Sequence, residues 1–385
     1  MTQAFVRNRV TWLAYLMLAL YGYFLNVFGP ITPFLKNELG LSYTLSSFHF
    51  SAFALGIIGA GLLGDRVIRL TGRWTALWIG GFGMSLAALL LIAGRDPRVT
   101  IGASFLMGLL GSLILTVVPS TLADQHGEHR ATAYFEANVV ASVLSAVAPV
   151  LVGWFAATAP GWQLALVVAA LAMLVLRLVF NGVTLPPPQP APAPGEARPG
   201  LPPIFWLYWV GIVLAVSVEF CMVFWSANYF ESVLAMPKAA AAQAVSLFLA
   251  GMIGGRLAGP RLEQWLGVYR VIAGSLITAG IGFAIYWTAA APPAGMIGLF
   301  ITGLGVAGLY PLTLSLAVGS AGGATVQASA LSSMASGVAI FSLPLILGRL
   351  ADAAGIRQAY AVIIVLVVAD LAIILAAARF GRRTA

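Results

Sequence analysis

Apolar runs fill this 385-residue chain almost from end to end, and each is close to the roughly 20 residues that an α-helix needs to cross about 30 Å of hydrocarbon. They fall at 10–29, 46–64, 74–94, 99–122, 133–157, 161–182, 204–230, 239–259, 269–290, 294–318, 326–350 and 357–379. Hydrocarbon offers a peptide group no water, so each span must satisfy its own N–H and C=O groups, and helices do this within one segment. Composition agrees: 61% of residues are hydrophobic and 8% charged, where soluble domains carry about a quarter charged. The predicted fold class is an all-α integral membrane protein of twelve spans, with little chain left for any other domain.

The second half repeats the first. Gly56, Gly59, Gly64, Arg66 and Gly72 fall on Gly251, Gly254, Gly259, Arg261 and Gly267 at one constant shift. The same shift, with no gap, carries Pro149, Gly153 and Gln163 onto Pro344, Gly348 and Gln358. Two six-span copies are one known way to build a secondary transporter, with the solute site between the halves. The expected bundles are residues 1–183 and 204–385. Between them a proline-rich segment, 184–203, cannot be helical and reads as an extended spacer.

Lys and Arg placement sets the orientation. With both termini in the cytoplasm, most of the 20 Lys and Arg residues lie inside, among them Arg66, Arg69, Arg73, Arg177, Arg261 and Arg270. This obeys the positive-inside bias, so the net charge of +8 is a topology signal and implies no nucleic-acid partner. The first apolar run is long and lacks a small-residue cleavage site, and it reads as a retained span of a plasma (inner) membrane protein. Cys221 lies inside a span, so no disulfide framework is expected. Small residues recur every fourth position at Gly56, Ala60 and Gly64, and at Gly251, Gly255 and Gly259, a pattern that lets backbones approach closely. Pro119, Pro149, Pro311 and Pro344 each remove a backbone hydrogen bond and are expected to kink their spans.

After the second span the chain reads GLLGDRVIRLTGRW, with Gly61, Leu63, Asp65, Arg66, Gly72 and Arg73. This resembles the loop signature between the second and third helices of the major facilitator superfamily, lengthened by four residues between Asp65-Arg66 and Gly72-Arg73. The resemblance implies two six-helix bundles and a conformational latch. In the latch Asp65 caps the start of the eleventh helix near Thr325 to Ala328, and Arg66 pairs with Asp124. Arg73 and Arg130 join this cytoplasmic set, with Glu136 beside Arg130. The stretches GGRLAG (254–259), GLYPLTLSLAVG (308–319) and GRLADAAG (348–355) resemble proton-linked fucose and related sugar symporters. The acids which that subfamily carries in helices one and four are here Gly29 and Ile114.

Ionisable side chains at membrane depth are costly and usually face a cavity or a partner. Glu219, near the middle of the seventh span, has Phe24 as its repeat mate and is the first candidate for proton coupling. Asp370 in the twelfth span, opposite Val175 in the repeat, is the second. Arg256 and Arg349 are possible contacts for an anion. Neutral groups that could line a central pocket are Tyr23, Asn26, Asn138, Ser142, Trp225, Asn228 and Tyr310, with Asn138, Ser142 and Ser145 on one helix face. His49 stands alone and makes no metal site. No phosphate-binding loop, zinc spacing or nucleophile triad is present, so neither an enzyme nor a bound cofactor is expected.

The chain therefore reads as a monomeric secondary active transporter, partnered by lipid and by a small organic solute, working by alternating access with proton coupling. The rival readings are an exporter of amphipathic compounds, an organic-anion carrier, and a membrane sensor or scaffold that moves nothing.

Overall fold

The computed structural model describes residues 5–185 and 200–384, with side chains undescribed at 323, 326 and 380–384. Residues 186–199 of the proline-rich segment, Arg198 included, therefore lie outside the described residues, as do the side chains of Arg382 and Arg383. Among the described residues the regular structure is wholly helical. The helices are α1 (Arg9–Asn26), α2 (Phe28–Glu38), α3 (Tyr43–Ala93), α4 (Pro97–His126), α5 (Arg130–Ala156), α6 (Leu164–Val179) and α7 (Pro203–Ser232). They continue as α8 (Lys238–Leu266), α9 (Val268–Thr288), α10 (Pro292–Val306), α11 (Leu309–Ser320), α12 (Thr325–Ala354), α13 (Ile356–Ala359) and α14 (Ala361–Thr384).

Helix number and span number differ for physical reasons. At 1.5 Å per residue, the 51 residues of α3 would reach about 76 Å, more than two bilayer cores. Its backbone leaves the helix at Gly72, where φ 80° and ψ 160° suit a residue without Cβ, so α3 holds two spans. Gly267 repeats that geometry between α8 and α9, at φ 77° and ψ 154°. Conversely, α1 and α2 form one interrupted span. The ring nitrogen of Pro30 has no hydrogen to give to the carbonyl one turn back, and the helix breaks at Val27. Pro311 acts likewise on α10 and α11, which part at Ala307 and Gly308. Pro119, Pro149 and Pro344 stay inside unbroken helices.

The chain clusters into two compact units, one of residues 1–41 with 48–192, the other of 42–47 with 193–385. Each is built the same way. In the first, a Cβ on Gly108 of α4 would overlap the carbonyl of Phe53 on α3, and one on Gly56 would overlap the carbonyl of Phe105. In the second, Gly303 of α10 meets the carbonyl of Phe248 on α8, and Gly251 meets that of Phe300. These are the same two contacts, repeated at the sequence shift of the halves. The small-residue stripe is thus used at Gly56 and Gly251; at Gly64 the nearest atom is 3.6 Å away, and around Gly259 nothing lies within 4 Å.

Aromatic packing fills the second unit. Tyr229, Tyr286 and Tyr360 form a triangle with ring centres 4.6, 5.0 and 5.7 Å apart, and all three are fully buried. The Tyr229 hydroxyl donates to the carbonyl of Trp287 at 2.9 Å. In the same unit the first turn of α3 is held by Asp352 at the end of α12. Its two carboxylate oxygens accept from the backbone N–H groups of Tyr43 and Thr44, each at 2.8 Å. Ser42 caps Leu45 at 3.1 Å beside them. A carboxylate placed there satisfies unpaired N–H groups and meets the positive end of the helix dipole.

Two predictions follow from this packing. Gly108→Ala and Gly303→Ala should each lower the thermal midpoint of the purified protein, costing about 1–3 kcal/mol for overpacking against backbone, while Gly259→Ala leaves it unchanged. Asp352→Ala should cost about 1 kcal/mol as a lost helix cap. Unfolding of detergent-solubilised protein, followed by intrinsic fluorescence, reads both.

Candidate functional site

In the first unit most of the neutral candidates are occupied by their own scaffold. The Tyr23 hydroxyl, buried, donates to the carbonyl of Ala165 at 2.9 Å and so joins α1 to α6. Asn26 donates to Gly22 and Asn138 to Tyr134, one helical turn back, at 2.9 and 2.8 Å. The Ser142 hydroxyl bonds the Asn138 carbonyl at 2.8 Å, and Ser145 packs where Gly22 lets α1 approach α5. Asn26, Asn138 and Ser142 are each half-buried. His49, 2% exposed, shares a 2.8 Å hydrogen bond with Thr100.

The charged groups at the Gly72 end of this unit have partners that differ from those the resemblance implied. Asp124 accepts from Arg73 at 2.5 Å, and Arg73 is only 7% exposed. The turn at Gly72 explains this, because it places Arg73 at the head of the next span, facing α4. Arg66 is exposed. Asp65, 70% exposed, pairs with Arg69 one helical turn on. The start of α12, for its part, has Ala324 at its N-cap position and no side-chain cap. Arg130 is exposed, and the partner of Glu136 is Arg7, with N···O distances of 2.8 and 2.6 Å. Tyr15 adds a 3.0 Å hydrogen bond to the same carboxylate.

The second unit holds the costlier groups. Glu219 on α7 is half-buried, and Arg256 on α8 lies within electrostatic range of it. Asp370 on α14 is 2% exposed, and its Oδ1 has no hydrogen-bond partner. That oxygen faces the bare backbone of Gly211 on α7, with the Thr313 methyl of α11 near the same glycine. Trp225 is fully buried; its indole N–H donates at 3.1 Å to the carbonyl of Pro344, which also accepts from Ser47 at 3.2 Å. Asn228 is 1% exposed and its Nδ2 has no acceptor. Tyr310 is half-buried, while Arg349 is exposed.

One polar group was missed from the sequence. On α12 the buried Gln327 Oε1, Ser332 Oγ and Ser336 Oγ have no hydrogen-bond partners. Trp209 of α7 packs on this stretch and donates to the carbonyl of Leu331 at 2.9 Å. The run SALSSMASG (329–337) carried the signal, since Ser329, Ser332, Ser333 and Ser336 share one face, and Ser333 is the repeat mate of Asn138. Buried polar atoms without partners are rare in folded proteins. With Asn228 and Asp370 they give the second unit more unpartnered buried polar atoms than the first, where Trp78 Nε1 and Thr121 Oγ1 are the examples among the described residues.

Comparison with known proteins agrees with this architecture. The family model of the Major Facilitator Superfamily matches residues 14–341. An uncharacterized MFS-type transporter of Yersinia pestis is 22% identical over 305 residues, 75% of each chain. A putative metabolite transport protein of Bacillus subtilis is 28% identical over 180 residues, 45% of this chain and 37% of that one. Among solved structures, a bacterial homolog of the human lysosomal transporter Spinster, inward-facing and occupied, superposes with a TM-score of 0.77 at 15% identity, covering 98% of both chains. The peptide transporter POT in complex with sulfate gives 0.77 at 16% identity over 98% and 97%. At these identities the structural matches establish the fold.

The Arg73–Asp124 pair yields a prediction. In a double-mutant cycle with Arg73→Gln and Asp124→Asn, thermal unfolding should return a favourable coupling of about 1–3 kcal/mol, whereas Arg66→Gln with Asp124→Asn returns none.

Proposed function

The chain belongs to the Major Facilitator Superfamily and is a membrane transporter, and we propose that it carries a small organic solute by alternating access, with a proton exchanged at Glu219. The observation that supports this reading is that Glu219, half-buried on α7, lies within electrostatic range of Arg256 on α8 of the same unit. A carboxyl group at that depth is costly to keep charged unless a cation offsets it. Protonation of Glu219 ends its attraction for Arg256, and loss of the proton restores it, so proton uptake and release change the charge that a solute meets. Asp370 is the second acid at depth, and its packing against Gly211 and the Thr313 side gives it a structural role at the α7–α11–α14 junction.

In this reading residues 1–183 and 204–385 are the two bundles and 184–203 is their cytoplasmic tether. Both termini lie in the cytoplasm, and the chain works as a monomer in the plasma membrane. Asn228, Trp225 and Tyr310 contribute the solute-facing side of the second bundle. Tyr23, Asn26, Asn138 and Ser142 contribute that of the first. Asp65, Arg66, Arg73, Asp124 and Arg130 act at the cytoplasmic gate.

A thermal-shift screen of sugars, carboxylates, amines and lipophilic compounds finds the solute, because a ligand that binds the folded state raises its apparent stability. In proteoliposomes, Glu219→Gln should then keep solute counterflow while losing accumulation driven by a pH gradient by at least about tenfold. Asp370→Asn keeps both. Accumulation by Glu219→Gln with unaltered pH dependence would remove the proton from the mechanism.

A further inference from the structure

The second span of α3 and the last turns of α6, both in the first unit, bound an open cleft of about 350 Å³ lined by Trp74, Thr75, Trp78, Ile79, Phe82 and Arg177. Arg177 stands over two indoles, its Cζ 5.5 Å from the ring centre of Trp74 and 5.5 Å from that of Trp78. Stacking of this kind holds a guanidinium flat without consuming its charge. One of its nitrogens donates to Asn181 Oδ1 at 3.1 Å. A guanidinium has five N–H donors, and among the described residues no carboxylate pairs with this one. The Trp78 ring is 6% exposed, and its Nε1 has no acceptor. The cleft thus presents an uncompensated cation on an aromatic floor, and what that cation lacks is an anionic oxygen.

The surroundings say where such an oxygen comes from. Ile79, Phe82 and Leu86 on α3, and Leu171, Leu174 and Leu178 on α6, are all exposed. Each trio has the spacing i, i+3, i+7, which puts it on one face of its helix. The two apolar ridges leave the cleft and run along the spans, toward the middle of the bilayer. A free phosphate would use the cleft and leave the ridges bare. The cleft also sits at the Gly72 end of the unit, the end that carries Arg66, Arg69 and Arg73, where anionic lipid is attracted.

We propose that this cleft seats one anionic phospholipid, its phosphodiester on Arg177 and its acyl chains along the two ridges. Arginine suits the role because its planar fork can stack on indole and still bind phosphate, which a lysine ammonium does not do.

Purified full-length protein titrated with phosphatidylglycerol or phosphatidylcholine, with the thermal midpoint and the lipids retained in native mass spectrometry as readouts, tests the site. The wild-type protein should be stabilised at about fivefold lower mole fraction of phosphatidylglycerol than of phosphatidylcholine, the preference one basic group confers at a lipid surface. It should also retain one phosphatidylglycerol. Millimolar glycerol phosphate should give no shift. Arg177→Gln should abolish the preference, with Arg177→Lys intermediate. An unchanged preference in a folded Arg177→Gln protein overturns the proposal, and so does an equal shift with glycerol phosphate, which would make the site one for a soluble anion. If Arg177→Gln does not purify folded, Arg177→Lys decides: a weakened preference supports the lipid site, and an unchanged one overturns it.

Discussion

Helices that share a lipid solvent gain little from hiding apolar surface against one another, so their association depends on how closely two backbones can come. Here that approach is set by glycines laid directly on carbonyl groups, Gly108 on Phe53 and Gly56 on Phe105, with Gly303 on Phe248 and Gly251 on Phe300 in the other unit. Such contacts bring dispersion and weak Cα–H···O interactions together at the shortest range two helices allow. The positions of the functional groups follow from them. Arg256 comes one residue after Gly255, which would strike the Leu304 carbonyl if it carried a Cβ. The seating of α8 on α10 therefore fixes the turn of α8 that carries Arg256.

Much of this frame was legible in the residues alone. Span lengths, the constant shift between halves and the motif at 61–74 suffice for the fold class and the family, because apolar length and glycine position are local properties; that motif is helical except at Gly72. The partners of the charges were less accessible. Glu136 reads as part of a cytoplasmic charge network beside Arg130, and the group that it binds is Arg7 from before α1; helix periodicity reports which face a residue occupies and not which group stands opposite. Asp124 was given Arg66, and the turn at Gly72 hands it Arg73. That turn changes direction by one residue's φ, which no count of spacing reveals.

Two omissions have a common origin. Gly108 and Gly303 do not stand out in the sequence, although they carry the tightest approaches to a backbone carbonyl among the described residues, because each is one small residue in an apolar run and gains meaning only from the carbonyl across from it. The serines of α12 were passed over because hydroxyls in spans ordinarily bond their own backbone, as Ser142 and Ser333 do here. The exceptions, Ser332 and Ser336, emerge only when every buried polar atom is followed to its partner.

The carboxyl groups held at depth belong to one copy of the repeat. Where the second copy has Glu219, Arg256 and Asp370, the first has Phe24, Gly61 and Val175. The glycine contacts that hold each copy together lie at other positions, so the frame and the charges can change independently. A duplicated module of this kind can gain or lose an ionisable group in one half while the packing of both halves is kept.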